Sequence, residues 1–493
     1  MPKRPLNIVL LMADQWRWDT IFQPGHVCQT PNLDRFAETG VAFGNAFTNV
    51  PLCCPARGSL LTGLWPHQTG LMDNIQRGSF YPNGELHSVH KIYLERLRDD
   101  LGYAIHYAGK WHIGLGTAAE RGIEADISDG AKPDRRGDDL PQPEIEGDAL
   151  PPFYASFTQG KNRDQHAIEA GIANIERLAQ GEDPFCAVIS TSGPHFPHTI
   201  PQHFADLYKD VTPDGFLPDN YCRPFLEENK PKMQSKPYWP CQNTLPLTSD
   251  DWRKTVAYYW GFCTYLDAQF GRVLDKLDTL GIAETTVVAF AVDHGEMLGA
   301  HGNFDKGPYF YEEIVHIPMI VRDPLGRKPL NPDGFVNLRD LFPTLVSLAG
   351  AGRVLNDDET NRSYWHMDND ATFYTYDAYQ GRQFKLRGIR TVRYKYNWCP
   401  NDLCELYDLE NDPGERVNLI NNPAFMEVQA ALHHRLMTWM ADEDDYLHHK
   451  QHLFPAGSYV DGRGFDEQHD PGVWSEAEKN WFVSGMDASN KEQ

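Results

Sequence analysis

Three short runs of continuously apolar residues constrain the fold of this chain most strongly. They are "LNIVLLM" (6–12), "FCAVIST" (185–191) and "TTVVAFAVD" (285–293), and a helical pattern, "TPNLDRFAETG" (30–40), follows the first of them. Strands whose hydrophobicity is continuous rather than alternating are covered on both faces, as in a mainly parallel sheet. The chain is therefore predicted to be an α/β protein with helices packed on both sides of the sheet.

Aspartates stand at the ends of two of these predicted strands. Asp14 follows the first strand closely, and Asp293 ends the late one. In open α/β sheets, ligands bind outside the carboxyl ends of the strands. One such aspartate is more typical of a turn cap, but two at equivalent strand ends favour a shared site.

The charge balance excludes several classes of partner. The 493 residues include 45 Lys and Arg against 69 Asp and Glu, a formal charge of −24. A surface of this sign repels nucleic acid and anionic membranes, so neither is an expected partner. An anionic substrate would require a local cluster of cations.

The amino terminus and the cysteines predict a cytoplasmic location. The start "MPKRPLNIVLLMAD" has cations before an apolar run, but Asn7 and Asp14 interrupt it, no small-residue cleavage site follows and no stretch approaches about 20 apolar residues. Nine cysteines, an odd number spread over a long chain, fit free thiols in a reducing compartment.

The predicted secondary structure changes in character near residue 370. Short strand-like pieces and an amphipathic helix follow, so we expect a catalytic domain over 1–369, a smaller α+β domain over 370–446 and a loop-rich tail over 447–493. The polar, Pro-rich segments 115–165 and 205–250 are predicted to be long surface loops that line a substrate pocket.

A cysteine pair lies in "VPLCCPARGSLLTG" (50–63). Cys53 and Cys54 are interpretable as buried structural thiols, as a redox pair or as one reactive centre. Adjacent cysteines form at best a strained bridge. Pro55 fixes the local turn and Arg57 supplies a permanent cation, and both favour a reactive centre.

This segment resembles the sulfatase signature of the alkaline-phosphatase-like superfamily. The resemblance implies a large mixed, mainly parallel sheet with a smaller C-terminal domain. It also implies that a formylglycine-generating or sulfatase-maturing enzyme oxidises Cys53 to formylglycine, and that Cys54 is the variable position. The pattern Cys-x-Pro-x-Arg-x-x-x-Leu-Thr-Gly is filled by Cys53, Pro55, Arg57, Leu61, Thr62 and Gly63.

A second segment, "LGYAIHYAGKWHIG" (101–114), is similar to the second signature of the same family. From the residues alone, Lys110 and His112 are a surface cation and a structural histidine, or they lie two apart in an extended segment and point together at one anion. Related phosphonate monoester hydrolases lack the Gly-Lys-Trp-His sequence, so its presence favours sulfate esters.

The resemblance also implies a divalent metal site. In "AVDHGEMLGAHGNFDKGPYFYEE" (291–313), two positions match metal ligands and Lys306 matches a sulfate contact. The resemblance makes calcium the first expectation. A Gln and a His stand where many sulfatases have acidic or amide residues, which reduces the negative charge and adds a possible nitrogen donor, so manganese and zinc are alternatives. The implied metal ligands are Asp14, Gln15, Cys53, Asp293 and His294.

Two histidines follow the middle strand in "STSGPHFPH" (190–198). His195 matches a family histidine that contacts the ester oxygen, and His198 is a candidate for a second contact, although either alone is as often structural. Asn74 lies where related hydrolases place an amide near the anion. The expected substrate-binding residues are therefore Asn74 and His198.

The family mechanism implied by the resemblance gives each remaining residue a role. Hydrated formylglycine at position 53 attacks sulfur while Arg57 stabilises its alkoxide, and Lys110 binds the sulfate oxygens together with Lys306 and the metal. His195, assisted by Lys306, protonates the departing alcohol.

His112 then takes a proton from the second hydroxyl of the sulfated intermediate. This step expels sulfate and restores the aldehyde, which an ordinary Ser or Cys cannot do because it lacks a second hydroxyl.

Two alternatives to a sulfatase remain open on the sequence. One is a phosphonate monoester or phosphodiester hydrolase that uses the same aldehyde and metal; the other is a catalytically silent protein that binds a sulfated ligand. Aryl, alkyl, choline and carbohydrate sulfates all fit the predicted core, and Arg223, Tyr238 and Trp239 lie in the loops that would select among them. The aromatic tail "HLFPAGSYVDGRGF" makes a homo-oligomer one expectation.

Overall fold

The strands of the chain form four sheets in a computed structural model. The structure describes residues 5–22, 26–74, 86, 89–114, 116–129, 145–150, 154–210, 219–221, 229–235, 247–379 and 382–448. The strands are β1 (Asn7–Asp14), β2 (Val41–Ala42), β3 (Ala46–Phe47), β4 (Ala104–Lys110), β5 (Glu124–Asp129), β6 (Ile145–Leu150), β7 (Tyr154–Phe157), β8 (Phe185–Pro194), β9 (His198–Pro201), β10 (Thr286–Val292), β11 (Ile320–Arg322), β12 (Val336–Asn337), β13 (Ala371–Tyr379), β14 (Arg382–Thr391), β15 (Tyr394–Trp398) and β16 (Glu405–Asp408).

The described segments also contain α-helices. The α-helices are α1 (Pro31–Thr39), α2 (Cys53–Thr62), α3 (Pro66–Thr69), α4 (Tyr93–Leu101), α5 (Arg163–Leu178), α6 (Gln202–Asp206), α7 (Ser249–Thr279), α8 (Glu312–Val315), α9 (Leu341–Leu348), α10 (Asp357–Asn361) and α11 (Met426–Asp442). Within the part of the chain that the structure describes, none of them is long and apolar enough to cross a bilayer.

The central sheet is mixed and mainly parallel, as the sequence predicts. Its order is β2-β11-β10-β1-β8-β4-β5. The last five strands are parallel to one another, and β11 pairs antiparallel with both β10 and β2. Leu10 on β1 lies opposite Val188 on β8 and Ala289 on β10, and all three are fully buried. Helices α5 and α7 pack together and against β8, while α4 and α9 pack against β4 and β10. Coverage by helices explains why these strands are continuously apolar.

A four-stranded antiparallel sheet, β13-β14-β15-β16, begins at Ala371. Its two faces are both buried: Tyr374 and Tyr376 belong to the main core, whereas Ile389 and Tyr396 pack in a second apolar cluster with α11. Within this sheet, β14 and β15 are joined by a tight turn at residues 392–393. The domain boundary at 370 stays a prediction.

The loop prediction for 115–165 is wrong in part. The segment contains β5, which adds an edge strand to the central sheet, and β7, which pairs with β6 and β9. These strands are short and carry polar residues, so they lack the apolar periodicity that signals a buried strand. Arg223, Tyr238, Trp239 and the segment 449–493 lie outside the described residues.

A buried charge cluster joins the C-terminal sheet to the catalytic part. Lys395 on β15 is fully buried and its Nζ lies 2.7 Å from Glu312 on α8 and 2.8 Å from Glu415. The Lys395 Nζ also donates to the Phe310 carbonyl at 2.7 Å. Because two carboxylates share one ammonium here, the cluster favours keeping a proton on one of them.

We expect Glu415→Gln to flatten the dependence of stability on pH. Burial raises the pKa of Glu415 to about 8, and the pull of Lys395 is opposed by Glu312. The folded state therefore binds this proton more tightly than the unfolded chain, so the wild type loses stability as pH rises from about 4.5 to about 8. The melting temperature of the variant relative to the wild type should rise over that interval.

The control is Glu410→Gln, because Glu410 forms a solvent-exposed pair with Arg393. Its melting temperature should follow that of the wild type at every pH. A constant difference between Glu415→Gln and the wild type across the interval would contradict the prediction.

Candidate active site

The cysteine pair opens a buried helix below the carboxyl edge of the central sheet. Helix α2 begins at Cys53, and all ten of its residues are buried. Pro55 lies in the first turn, where the missing N–H removes no helical hydrogen bond. The helix ends at Gly63, whose left-handed φ of 72° suits a glycine C-cap. Position 53 is thus held at a helix N-terminus, where backbone dipoles favour negative charge.

The two cysteines point into different surroundings. The Cys53 Sγ lies 3.1 Å from His294 Nε2, 3.8 Å from Asn74 Nδ2 and 3.9 Å from Asp14 Oδ1. Cys54 is part of the main apolar core, and its backbone N–H donates to the Asn74 Oδ1 at 2.9 Å. Successive helical residues point about 100° apart, so only one cysteine can face the polar site.

Four metal-ligating side chains converge at this point. All are buried, and one potential ligand atom from each lies within 4.8 Å of the others. His294 Nε2 is 4.0 Å from both Asp14 Oδ1 and Asp293 Oδ1, and the His294 Nδ1 lies 2.9 Å from the Gly295 carbonyl. This group is Asp14, Cys53, Asp293 and His294.

The electrostatics of the two carboxylates fit a bound cation. Burial and the nearby Asp14 raise the pKa of Asp293 to about 6. The pKa of Asp14 is held far below its usual value, because Lys110 and other cations outweigh its burial and the charge of Cys53. Two buried carboxylates so close together repel each other, and a divalent ion between them removes that repulsion.

Arg57 forms hydrogen bonds to both carboxylates. Its Nε donates to Asp293 Oδ2 at 2.8 Å and its Nη2 to Asp14 Oδ2 at 3.1 Å. The remaining nitrogen, Nη1, donates to the Lys110 carbonyl and the Ser190 hydroxyl. Because Arg57 uses the Oδ2 atoms, both Oδ1 atoms stay turned toward His294 and Cys53.

Lys110 contacts Asp14 and His112 contacts Cys53, but the two do not lie in one extended segment. Strand β4 ends at Lys110, and His112 has a left-handed φ of 51°, so the extended geometry predicted for this pair is wrong at His112. Gly109 has a φ of 95°, and a Cβ there would lie 1.9 Å from the Ser190 carbonyl oxygen. Only glycine fits this turn, which aims Lys110 at Asp14.

The protonation of His112 suits proton transfer near position 53. Burial and the neighbouring Lys110 lower its pKa, while a hydrogen bond with Cys53 acts in the opposite direction. The imidazole that faces Cys53 is therefore neutral near neutral pH and can accept a proton.

Lys306 and His195 form a direct pair on the other side of the site. The Lys306 Nζ lies 2.7 Å from the His195 Nε2 and 2.9 Å from the Gln15 Oε1. The His195 Nδ1 donates to the Phe196 carbonyl at 2.7 Å, which leaves Nε2 to accept from the lysine. Gln15 is fixed from behind by a hydrogen bond from its amide nitrogen to Glu296.

The cations around position 53 create a field that favours an anion. Burial alone would raise the pKa of the Cys53 thiol, but Lys306, Lys110 and His294 lower it well below its usual value. Any negatively charged group at this position gains the same stabilisation.

His198 has a different environment from the other predicted site residues. It is fully buried, its ring packs against Tyr259, Phe262 and Phe304, and burial lowers its pKa to about 3. The roles assigned to His198 and to Gln15 as substrate and metal contacts stay predictions.

Sequence reasoning missed two residues that organise the site. Ser190 accepts a hydrogen bond from Arg57 at 2.8 Å, and Glu296 holds both Gln15 and the backbone N–H of Asp305. Glu296 stands close to the predicted ligand His294 in the sequence, but its partner Gln15 is nearly three hundred residues away.

Comparison with known proteins gives a consistent family. Residues 6–351 match the sulfatase family model, and residues 299–442 match the model described as N-sulphoglucosamine sulphohydrolase, C-terminal. The chain is 27% identical over 485 residues to the ulvan-active sulfatase of Formosa agariphila, covering 94% of this chain and 86% of that protein. It is 28% identical over 455 residues to the choline-sulfatase of Rhizobium meliloti, covering 86% and 84%.

The fold is shared more widely than the sequence. The solved structure of the phosphonate monoester hydrolase of Agrobacterium radiobacter matches with a TM-score of 0.70 at 22% identity, covering 89% of this chain and 96% of that one. At this identity the likeness concerns the fold. Because the sulfatase model spans most of the 493 residues, the chain belongs to the sulfatase family and is a sulfate ester hydrolase rather than a silent binding protein.

Proposed function

We propose that the chain hydrolyses a sulfate monoester with a formylglycine made from Cys53 as the nucleophile. The observation that carries the proposal is the group of cationic side chains around this position, Lys110, Lys306 and His294, which we call the sulfate cradle. They approach a buried helix N-terminus from several directions. In this cradle the thiol pKa falls despite complete burial. The same field would stabilise the alkoxide of a hydrated aldehyde and the oxygens of a sulfate group.

Each side chain then acts at a defined place. Lys110 and Lys306 bind sulfate oxygens and offset the charge that the substrate brings. Arg57 holds the two carboxylates in position beside the nucleophile. The neutral His112 removes the proton of the second hydroxyl when sulfate leaves, since it contacts position 53 directly.

His195 and Lys306 are the donors for the leaving alcohol. Their nitrogens are 2.7 Å apart, so a proton held by the pair can pass to an oxygen beside them. When the ester bond breaks, the departing oxygen takes this proton and leaves as a neutral alcohol.

A divalent metal would be held by Asp14, Cys53 (as formylglycine), Asp293 and His294, with Gln15 as the fifth predicted ligand. Such an ion supplies Lewis-acid chemistry by lowering the pKa of a coordinated hydroxyl. With formylglycine at position 53, four of the five predicted ligands offer oxygen, which favours calcium, while the His294 nitrogen suits manganese or zinc. Elemental analysis of the purified protein identifies the ion.

The substrate is a small-molecule or carbohydrate sulfate ester. Two relatives are named for ulvan and for choline sulfate, so the family core accepts alcohols of very different size. The Gly-Lys-Trp-His sequence that contains Lys110 and His112 favours a sulfate over a phosphonate or phosphodiester, because related phosphonate monoester hydrolases lack it. A cytoplasmic location, a homo-oligomer and the action of a maturing enzyme are further parts of the proposal.

The test compares one aryl sulfate with the matching aryl phosphonate monoester on the same metal-loaded sample. We expect kcat/KM for the sulfate to exceed that for the phosphonate. We expect Lys110→Ala to lower the ratio of the first value to the second. A preference for the phosphonate in the wild type would replace the proposal with phosphonate monoester hydrolysis. Chelation of the metal should abolish both activities and restoration of the ion should recover them.

A further inference from the structure

Asp164 is a buried carboxylate that none of the proposed chemical steps uses. It lies in the first turn of α5 and is 4% exposed. Its Oδ1 accepts a hydrogen bond from the Ser192 backbone N–H at 2.6 Å, and its Oδ2 accepts one from the Gly193 N–H at 3.2 Å. These two residues lie at the end of β8 and directly precede Pro194 and His195. The carboxylate therefore holds the backbone that leads into the catalytic histidine.

The same backbone is fixed from a second helix. Phe262 on α7 packs so closely on Gly193 that a Cβ there would lie 2.3 Å from the phenyl ring. The next N–H, that of His195, donates to the Asp14 carbonyl at 3.1 Å. The segment thus has contacts with α5, α7 and β1 within four residues.

The position of His195 depends on this segment. Its ring makes one hydrogen bond to the adjacent Phe196 carbonyl and one contact of 2.7 Å with Lys306. A backbone shift of about 1 Å would break the second contact, and displacements of that size are costly in catalysis.

We propose that Asp164 is a positioning residue for leaving-group protonation, because it fixes the backbone that presents His195 to Lys306 and to the departing oxygen. The inference rests on the proposed role of the His195–Lys306 pair. It adds a residue on α5, outside the sulfate cradle, to the groups that control the rate.

The environment of Asp164 agrees with a functional reason for its presence. Burial raises the pKa of Asp164 to about 6 even though two amides donate to its carboxylate. The charged form is therefore held at an energetic cost, as is common for groups retained at functional sites.

The experiment measures how the rate depends on the leaving group. The substrates are 4-nitrophenyl sulfate, whose phenol leaves readily as an anion, and phenyl sulfate, whose phenol needs a proton. We expect Asp164→Asn to lower kcat/KM for phenyl sulfate by about tenfold more than for 4-nitrophenyl sulfate, a fraction of what general acid catalysis contributes. Asp164→Glu keeps the charge but lengthens the side chain, so it should change the ratio of kcat/KM for the two substrates in the same direction. It replaces Asp164→Asn in the experiment if that variant does not fold.

Asp267→Asn is the matched control. Asp267 on α7 is also buried, its pKa is also raised to about 6 by burial, and its carboxylate accepts backbone N–H groups of Asn32 and Leu33 at the start of α1. It has the same chemistry but no hydrogen bond to the segment before His195. Asp267→Asn should leave the ratio of the two substrates unchanged.

A double-mutant cycle with His195→Ala separates positioning from general destabilisation. If Asp164 acts through His195, the double variant is no slower on phenyl sulfate than His195→Ala alone. Equal losses on both substrates, or full additivity, would overturn the inference. If His195→Ala leaves the ratio of kcat/KM for the two substrates unchanged, the role of His195 is overturned and the inference with it. If the ratio changes in His195→Ala but not in Asp164→Asn, the inference alone is overturned.

Discussion

Cys53→Ala is expected to abolish turnover, while Cys54→Ala keeps substantial activity. Position 53 contacts His294, Asn74 and Asp14, so the substitution removes the proposed nucleophile and leaves the surrounding side chains in place. Cys54 lies in the apolar core, where truncation to Ala removes one buried atom and costs on the order of 1 kcal/mol in stability.

The measurement is aryl-sulfate turnover together with mass spectrometry of the peptide that contains Cys53. Conversion of the thiol to the aldehyde removes hydrogen sulfide and adds one oxygen atom, so the peptide from active wild type should be lighter by that difference, in proportion to activity. Comparable losses from the two substitutions would refute the choice of Cys53. So would full activity in metal-loaded protein whose Cys53 is an unmodified thiol.

Arg57→Leu is expected to lose both activity and stability. Arg57 is 1% exposed and pairs with Asp14 and Asp293, so its removal leaves two buried carboxylates short of a cation. Breaking a buried ion pair on one side typically costs about 3–5 kcal/mol. Because the same residue orients two of the proposed metal ligands, we expect kcat/KM to fall by about a thousandfold or more.

Arg57→Lys separates charge from geometry. A lysine restores one positive charge, but its three N–H donors on one nitrogen cannot reproduce the four hydrogen bonds that Arg57 makes to Asp14, Asp293, Ser190 and the Lys110 carbonyl. It should recover part of the lost stability in chemical denaturation and little of the activity. The control is Arg177→Leu, which removes an exposed pair with Glu124 and should change neither quantity noticeably. An active Arg57→Leu protein of wild-type stability would refute the assigned role.

The fold class was predictable because burial on both faces leaves a direct mark on a sequence. Strands β1, β8 and β10 are covered by helices, so they appear as unbroken apolar runs and were predicted within a few residues. Strand β5 has no such mark, because it lies at the sheet edge and carries polar side chains. The predicted loops were therefore wrong where short strands add to an edge.

The chemistry of the site was also predictable in part. Position 53, Lys110 and His294 belong to short motifs whose residue types and spacing are specific, so a single sequence suffices to single them out. The register of the motif assigns the reactive role to Cys53 rather than to Cys54. The surroundings of the two side chains come only from the helix, which directs Cys53 toward His294 and Cys54 into the core.

The sequence by itself determined the α/β class, the reactive segment and the set of cations and carboxylates. Only the tertiary structure decided how these groups combine. Glu296 fixes Gln15, Ser190 supports Arg57 and Asp164 holds the backbone before His195, in each case across more than twenty residues of sequence. Such contacts depend on how strands and helices pack against one another. Contacts between segments that are distant in the sequence leave no periodic pattern of residues from which they could be predicted.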